Sequence, residues 1–269
     1  PLLIKFRRSA VHVMIAHRLT PRKKHIFAKL LRLFDRINAM VCYSQAQVSY
    51  AKDKLGVDKD QLHRIDFHVD QTFYTPGPGS QQTGILSVGR ELRDYPTLFT
   101  AVENTDVQVT VVASSPWSRR RDQTSGRALP DNVTTRKNLS CMELRNLYRS
   151  ATLVVVPLQS VDSPAGITSI LEAQAVGRPV IVSTSPGILD SIEPGQTAVT
   201  VPCGNPEVLR KNIEALLNDP DEAARIAEQG RKAVLAEKTL DHFITNVRAV
   251  CDAAEKAART TAALKKDGE

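Results

Sequence analysis

Two segments of the sequence have the chemistry needed to hold a phosphorylated ligand. In the first, Gly89 and Arg90 follow an apolar run at residues 85–88, where a guanidinium can grip phosphate oxygens in a fork. In the second, a predicted helix opens at Gly166, so the free N–H groups of its first turn can bind an anion. The residues at this helix start are Gly166, Ile167 and Thr168.

Both segments follow predicted parallel strands. Residues 152–157 and 179–183 are short β-branched apolar runs on either side of the second segment's helix, a pattern typical of strands covered on both faces. From residue 85 onward strands alternate with helices, which predicts an α/β fold with parallel sheets. Ligands bind outside the carboxyl ends of such strands, so the two segments are expected to lie close together.

A Pro- and Gly-rich loop near residue 76 is the expected domain boundary. Residues 77–269 are interpreted as a complete doubly wound, Rossmann-like domain that ends in a helix. Residues 1–76 are interpreted as the C-terminal part of another Rossmann-like domain. Its strand candidates lie at residues 11–16, 39–43 and 63–67. Because a doubly wound domain has about five or six strands, we expect the first half of this domain to precede Pro1.

The composition is that of an ordinary globular protein. The chain has 269 residues, of which 42% are hydrophobic and 24% charged. No apolar run approaches the ~20 residues needed to cross a bilayer. The 4 cysteines lie far apart, which argues against disulfides and favours a reducing cytoplasm. Neither an HxxxH motif nor a Cys/His cluster indicates a metal site.

The net charge of +7 is concentrated near the start of the chain. Between residues 5 and 36, ten Lys or Arg residues accompany one acid, Asp35. These cations flank a predicted amphipathic helix at residues 22–37, for which two interpretations stay open. In the first interpretation, the apolar stripe of the helix packs on the domain's own sheet. In the second, the basic helix lies on an anionic membrane surface. Nucleic acid is not expected, because no aromatic interleaving or known module accompanies the charges.

Four strings occur in a fixed order: SVGRELRDYPTLFTAV, ELRNLYRSATLVVVPL, AGITSILEAQAVGRPVIVS and residues 186–220. Over about residues 84–245 their order and spacing resemble the C-terminal domain of the retaining glycosyltransferases of family four, the glycogen-synthase-like group. The resemblance implies the GT-B fold, in which a nucleotide-sugar lies in the cleft between two Rossmann-like domains. It also implies sugar transfer to an acceptor hydroxyl with retention of configuration, without a metal or other cofactor.

The resemblance assigns roles to individual residues. Arg90 and Arg93, beside Gly89, would neutralise the donor diphosphate, with Arg93 near the place of the family's usual lysine. Glu172 would accept hydrogen bonds from the vicinal ribose hydroxyls. His17, at the end of a predicted strand, corresponds to a histidine that supports catalysis near the reacting sugar. The structural alternatives are a solvated loop cation for Arg90 and a histidine that only supports the fold.

The chain departs from the family pattern at one acidic position. The family's first paired glutamate, which contacts the transferred sugar, is not present, and Asp162 occupies its region. Asp162 either replaces that glutamate or caps the loop. Arg93 similarly either binds phosphate or pairs with Asp94.

More than one function is compatible with these residues. The leading hypothesis is a glycosyltransferase that uses a nucleotide-sugar and an unidentified acceptor. The missing glutamate also favours a second class, a non-catalytic or regulatory module that keeps the fold and binds a nucleotide-sugar. A related two-domain epimerase or phosphorylase is a third class, although the phosphorylase would need a buried cofactor lysine that the sequence does not suggest.

Overall fold

The computed structural model describes residues 10–17, 19, 33–77, 83–113, 128–161 and 163–266. It divides into two compact units. The first comprises Pro1–Asp66 and Asp241–Glu269, and the second comprises Phe67–Leu240. The boundary therefore lies ten residues before the expected residue 76, and the final helix belongs to the first unit rather than the second.

Apolar packing explains both differences. In the final helix, Val250 and Ala254 are buried in one cluster with Ala39 and Val41 of the first sheet. Val69, in contrast, is buried with the apolar face of a helix of the second unit, and its backbone N–H donates to the Lys238 carbonyl at 3.1 Å. Each segment joins the unit that buries its apolar side chains.

The first unit contains a parallel sheet of three strands in the order β1-β2-β3. The strands are β1 (Val13–Ile15), β2 (Ala39–Cys42) and β3 (Leu62–Arg64). Helix α1 (Gln45–Leu55) follows β2, and it begins and ends as its capping residues predict. Ser44 accepts a hydrogen bond from the Gln47 backbone, and Gly56 ends the helix in the left-handed conformation. The basic helix expected at residues 22–37 lies mostly outside the described residues.

The second unit is a doubly wound α/β domain with six parallel strands. The strands are β4 (Ile85–Val88), β5 (Val109–Val112), β6 (Val133–Arg136), β7 (Leu153–Val156), β8 (Val180–Ser183) and β9 (Val199–Val201). Its α-helices include α2 (Tyr95–Val102), α3 (Cys141–Ser150), α4 (Ile167–Ala175), α5 (Pro206–Asn218) and α6 (Pro220–Glu237). The final helix, α7 (Leu240–Lys266), belongs to the first unit from Asp241 onward.

Helices cover both faces of this sheet. Apolar residues of α2 and α5 form one core cluster with the sheet, and residues of α3 and α4 form another. Every residue of β4, β7 and β8 is buried, as expected for strands that are apolar on both sides. The α/β class with parallel sheets that the sequence predicted is confirmed.

Strand β6 was not predicted from the sequence. It lies at the edge of the sheet, beside β5 alone. Only Val133 of its four residues is buried, and Thr134, Thr135 and Arg136 are exposed. An edge strand with so little apolar surface lacks the hydrophobic pattern on which sequence prediction depends.

The strand order β6-β5-β4-β7-β8-β9 reverses direction between β4 and β7. At such a switch point the loops that follow the two central strands lead to opposite faces of the sheet and leave a crevice at their carboxyl ends. Gly89 and Arg90 follow β4, and the loop after β7 leads to α4. The sheet therefore brings the two segments singled out from the sequence to one edge.

Candidate functional site

The loops that follow β4 and β7 are hydrogen-bonded to each other. The Asp94 N–H donates to the Pro157 carbonyl, and the Gln159 N–H donates to the Leu92 carbonyl, both at 3.0 Å. The second loop is also held by the last residue of β8, since the Leu158 N–H donates to the Ser183 hydroxyl at 3.0 Å. These three hydrogen bonds thus fix the positions of the loops at the carboxyl ends of β4 and β7.

Gly89 is required at the end of β4 for two separate reasons. Its φ of +107° lies in a region that residues with a side chain rarely adopt. A Cβ atom there would also lie 2.3 Å from Nη2 of Arg93. Glycine therefore makes room for the Arg93 guanidinium beneath the chain.

Arg93 is almost fully buried and binds acceptors of the protein. It is only 4% exposed, and its guanidinium donates to the Val88 carbonyl at 2.9 Å, the Glu91 carbonyl at 3.1 Å and the Ser169 hydroxyl at 3.0 Å. Burial lowers its pKa. The side chain therefore holds the β4 loop together, with three of its five N–H donors bound to acceptors of the protein.

Asp94 is instead the N-cap of α2. Its carboxylate accepts from the Thr97 N–H at 3.3 Å and from the Thr97 hydroxyl at 2.7 Å. These bonds satisfy the start of the helix in the usual manner of an aspartate cap. The sequence alternative of an Arg93–Asp94 pair therefore does not describe the structure.

Arg90 is half-buried and lies directly after Gly89. Its Nε atom is buried and has no hydrogen-bond partner among the described residues. A buried donor without a partner is costly unless a ligand or water satisfies it. Arg90 therefore has a buried donor that a bound anion could satisfy.

Helix α4 begins where the sequence predicted. Gly166 is its N-cap, with a φ of +88°, and no side chain caps the first turn. A Cβ atom on Gly166 would lie 3.0 Å from side-chain atoms of both Val156 and Leu158, so glycine lets the helix start close to the end of β7. Ile167 is buried and Thr168 is exposed.

Glu172 lies in the second turn of α4 and is only 9% exposed. Burial raises the pKa of its carboxyl group to about 7, while the nearby hydroxyls of Tyr74 and Tyr148 and the charge of Arg93 oppose that rise. The Tyr148 hydroxyl makes no well-formed hydrogen bond within the described structure, so its effect comes from proximity. A buried carboxyl group with a perturbed pKa is typical of functional sites.

Ser169 connects the two segments. Its hydroxyl donates to the Val88 carbonyl at 3.2 Å and accepts from Arg93. Val88 immediately precedes Gly89 and Arg90, and Ser169 immediately follows Thr168. The phosphate-binding features expected at β4 and at α4 are therefore adjacent.

His17 belongs to the first unit. It follows β1, its side chain is exposed, and its ring lies 5.8 Å from that of Tyr43. Its backbone carbonyl accepts from Gln47 Nε2 at 3.0 Å, which fixes the chain at the end of the strand. Asp162, in contrast, lies outside the described residues.

Sequence reasoning missed Tyr74, Tyr148 and Ser169 as members of this site. Tyr148 and Ser169 belong to helices whose other apolar residues suggest only core packing. Tyr74 lies in the loop after β3, nearly one hundred residues before Glu172. No local pattern links them, and only the fold brings them together.

The described residues contain no group of three or more His, Cys, Asp or Glu residues that could hold a metal ion. No helix in this part of the chain is long and apolar enough to cross a membrane. A shallow cavity of about 490 Å³ runs along α3 between Arg136 and Arg149, and none of the candidate residues lines it.

Comparison with known proteins identifies the family. Residues 81–233 match the family model described as glycosyl transferases group 1. The chain is 28% identical to a D-inositol 3-phosphate glycosyltransferase of Arthrobacter, over 76% of this chain and 52% of the relative. It is 25% identical to an MMP alpha-(1->4)-mannosyltransferase of Mycolicibacterium hassiacum, over 75% of this chain and 50% of that protein. The chain spans about half the length of these curated relatives.

Solved structures show the fold. HepE of Anabaena, in complex with UDP and glucose, has a TM-score of 0.74 at 16% identity and matches 93% of this chain and 72% of its own. Sucrose-phosphate synthase of Thermosynechococcus elongatus has a TM-score of 0.71 at 21% identity, and the match covers 97% of this chain and 70% of the synthase chain. The architecture is the GT-B fold of glycosyltransferases. Since the family model matches more than half of its length, this chain belongs to the glycosyl transferases group 1 family.

Proposed function

We propose that this protein transfers a hexosyl group from a nucleotide-sugar to an acceptor hydroxyl with retention of configuration. One observation carries the proposal: the 3.2 Å hydrogen bond from Ser169 to the Val88 carbonyl. It places the uncapped start of α4 beside the loop that carries Arg90. Both features favour an anion, and they lie at the switch point where doubly wound sheets bind nucleotides.

In this proposal Arg90 and α4 bind the donor diphosphate. The buried Nε of Arg90 needs an acceptor, and the first-turn N–H groups of α4 have no side-chain cap. The diphosphate gains negative charge as the bond to the sugar breaks, so fixed donors here stabilise the transition state more than the substrate. We therefore propose that these groups neutralise the charge of the diphosphate and that no metal or other cofactor takes part.

Glu172 is proposed to bind the donor ribose. An ionised carboxylate has about four lone-pair sites, so it can accept hydrogen bonds from both vicinal ribose hydroxyls. His17 is proposed to support catalysis near the reacting sugar, as the family resemblance implies.

The relatives support the class of donor. They are named as an inositol-phosphate glycosyltransferase and a mannosyltransferase, and the HepE structure contains UDP and glucose. These names favour a nucleoside diphosphate hexose as donor for this protein as well. Association with an anionic membrane surface and a cytoplasmic location are further proposals, which rest on the basic residues 5–36 and the scattered cysteines.

The test uses the full-length protein. It is incubated with UDP-glucose, UDP-N-acetylglucosamine, GDP-mannose and ADP-glucose, and release of nucleoside diphosphate is followed together with the anomeric configuration of the product by NMR. We expect one donor to be consumed and the sugar to keep its configuration. An inverted product would contradict retention, and donor binding without any turnover would instead favour a non-catalytic nucleotide-sugar-binding module.

A further inference from the structure

We propose that Gln47 is a positioning residue, whose side-chain amide fixes the chain at His17 and so sets where the imidazole meets the reacting sugar. This role rests on the proposed function of His17, which lies thirty positions earlier in the chain. Both residues belong to the first unit. Gln47 lies in the first turn of α1 and is only 4% exposed.

The amide of Gln47 joins the carboxyl ends of two neighbouring strands. Its Nε2 atom donates to the His17 carbonyl at 3.0 Å and to the Ala16 carbonyl at 3.4 Å, just after β1. Its Oε1 atom accepts from the Tyr43 N–H at 2.7 Å, just after β2. The backbones themselves bond at Ala16, whose N–H donates to the Val41 carbonyl at 2.8 Å. Gln47 extends this link between the strands by one residue, to His17.

The three contacts match the donors and the acceptor of a glutamine. A carboxamide has one acceptor oxygen and a nitrogen with two N–H donors. The Tyr43 N–H needs the oxygen, and the Ala16 and His17 carbonyls need the nitrogen. The direction of the amide is therefore fixed by its partners. A glutamate would keep the acceptor for Tyr43 but would set a second oxygen against both carbonyls, and a methionine would only fill the space.

The main chain of Gln47 is held in place as well. Ser44 is the N-cap of α1, and its hydroxyl accepts from the Gln47 N–H at 3.2 Å. Ser44 is fully buried. The side chain of Gln47 therefore leaves a fixed helix turn, and a residue that orients another needs such support of its own.

The same amide also fixes the residue whose ring meets the imidazole. The Tyr43 ring lies 5.8 Å from the His17 ring, at 57°, and it stacks with Phe243 of α7 at 6.3 Å. Gln47 binds the backbones of both His17 and Tyr43. Since the His17 side chain is exposed, its position depends on these two anchors rather than on enclosure in the core.

The variants that test this role are Gln47→Met, Gln47→Glu, His17→Ala and the double variant Gln47→Met/His17→Ala, all in the full-length protein. Gln61→Met is the matched control, because Gln61 Nε2 also donates to a backbone carbonyl of the first unit, that of Ile37. This bond lies before β2 and β3, at the opposite ends of the strands from His17. Both glutamine-to-methionine changes should lower the midpoint of unfolding in urea.

The contact itself is measured by NMR without any donor. The imidazole signals of His17 are those that disappear in His17→Ala. Both Gln47 variants should move these signals, because the imidazole then shifts relative to the Tyr43 ring and its ring current. Gln61→Met should leave them in place.

Turnover is measured with the donor that the wild type consumes among UDP-glucose, UDP-N-acetylglucosamine, GDP-mannose and ADP-glucose. We expect kcat to fall about tenfold in both Gln47 variants, since the imidazole is misplaced. Affinity for the nucleoside diphosphate should change by less than about twofold, because Arg90 and α4 belong to the second unit. Gln61→Met should keep kcat within about twofold of the wild type. In the His17→Ala background, Gln47→Met should not lower the residual turnover further.

An unchanged kcat in the Gln47 variants would overturn the inference, and so would His17 signals that do not move. An equal loss of kcat in Gln61→Met would overturn it too, because turnover would then follow stability alone. Moved His17 signals in a protein that consumes none of the four donors would support the Gln47–His17 contact and overturn the proposed function instead.

Discussion

Nη2 of Arg93 lies 3.0 Å from the hydroxyl oxygen of Ser169, and this hydrogen bond joins the loop after β4 to the first turn of α4. Arg93 also binds two carbonyls of its own loop. A planar guanidinium holds several acceptors in fixed directions at once. Arg93 therefore holds together the two elements that are proposed to bind the diphosphate, while its own guanidinium stays buried.

Arg93→Lys should destabilise the protein. A lysine cannot satisfy three acceptors in this planar arrangement, so buried carbonyls lose their partners, and we expect the free energy of unfolding to fall by about 2–3 kcal/mol. Chemical denaturation measures this. Arg136→Lys, at an exposed position on β6, should change stability by less than about 0.5 kcal/mol. Unchanged stability in Arg93→Lys, with lost nucleotide-sugar binding, would mean that Arg93 contacts the ligand.

Gly89→Ala should displace the Arg93 guanidinium. The new Cβ atom meets Nη2 at 2.3 Å in addition to the strain of a φ of +107°. Gly195→Ala is a matched control, because Gly195 also has a positive φ but nothing lies within 4 Å of its Cβ position. We expect Gly195→Ala to cost about 1–2 kcal/mol in unfolding free energy and Gly89→Ala at least about 2 kcal/mol more. Equal losses would show that Arg93 moves aside without cost.

Glu172→Gln should change how stability depends on pH. The pKa of this carboxyl group is raised to about 7 in the folded protein from 4.5, so between these values the folded state binds more protons than the unfolded state. Stability should therefore fall as pH rises through this window, by about 3 kcal/mol in total, and remain lower above it.

The glutamine variant lacks this titration and should be more stable than the wild type above about pH 7. Unfolding in urea at several pH values measures the difference. Glu237→Gln, at an exposed position at the end of α6, serves as control and should leave the pH profile unchanged. A parallel profile for Glu172→Gln and the wild type would contradict the burial of an ionisable carboxyl group here.

Val250→Ala tests the assignment of α7 to the first unit. Val250 is 8% exposed and packs with Ala39 and Val41 of β2, so its truncation should lower the unfolding free energy by about 1–2 kcal/mol. Hydrogen exchange should rise first in β2 rather than in the second unit. Ile244→Ala, at a position that is 55% exposed, should have a much smaller effect. Equal effects would contradict this packing.

Much of the fold follows from local patterns in the sequence. The runs at β4, β7 and β8 are apolar on both faces, and Ser44, Asp94 and Gly166 stand where helices begin. Such signals lie within a few consecutive residues, so they can be recognised without knowledge of the fold. Strand β6 shows the limit, because an exposed edge strand has almost no apolar pattern.

The site was less predictable because its contacts join distant segments. The bond between Arg93 and Ser169 spans 76 positions, and the loop of Tyr74 packs on both α3 and α4. Sequence resemblance placed Arg93 at a phosphate-binding position, but the space left by Gly89 allows its side chain to turn inward. Residue type and position alone do not reveal the direction of a side chain.

The most direct test of the central claim is nucleotide-sugar binding by the full-length protein with Arg90→Ala and with Arg136→Ala. Both substitutions remove one arginine from the carboxyl ends of strands in the same sheet, but only Arg90 lies at the switch point. Isothermal titration calorimetry with the preferred donor should show at least about tenfold weaker binding for Arg90→Ala and unchanged binding for Arg136→Ala. Equal affinities in the two variants would contradict a diphosphate site at the start of α4.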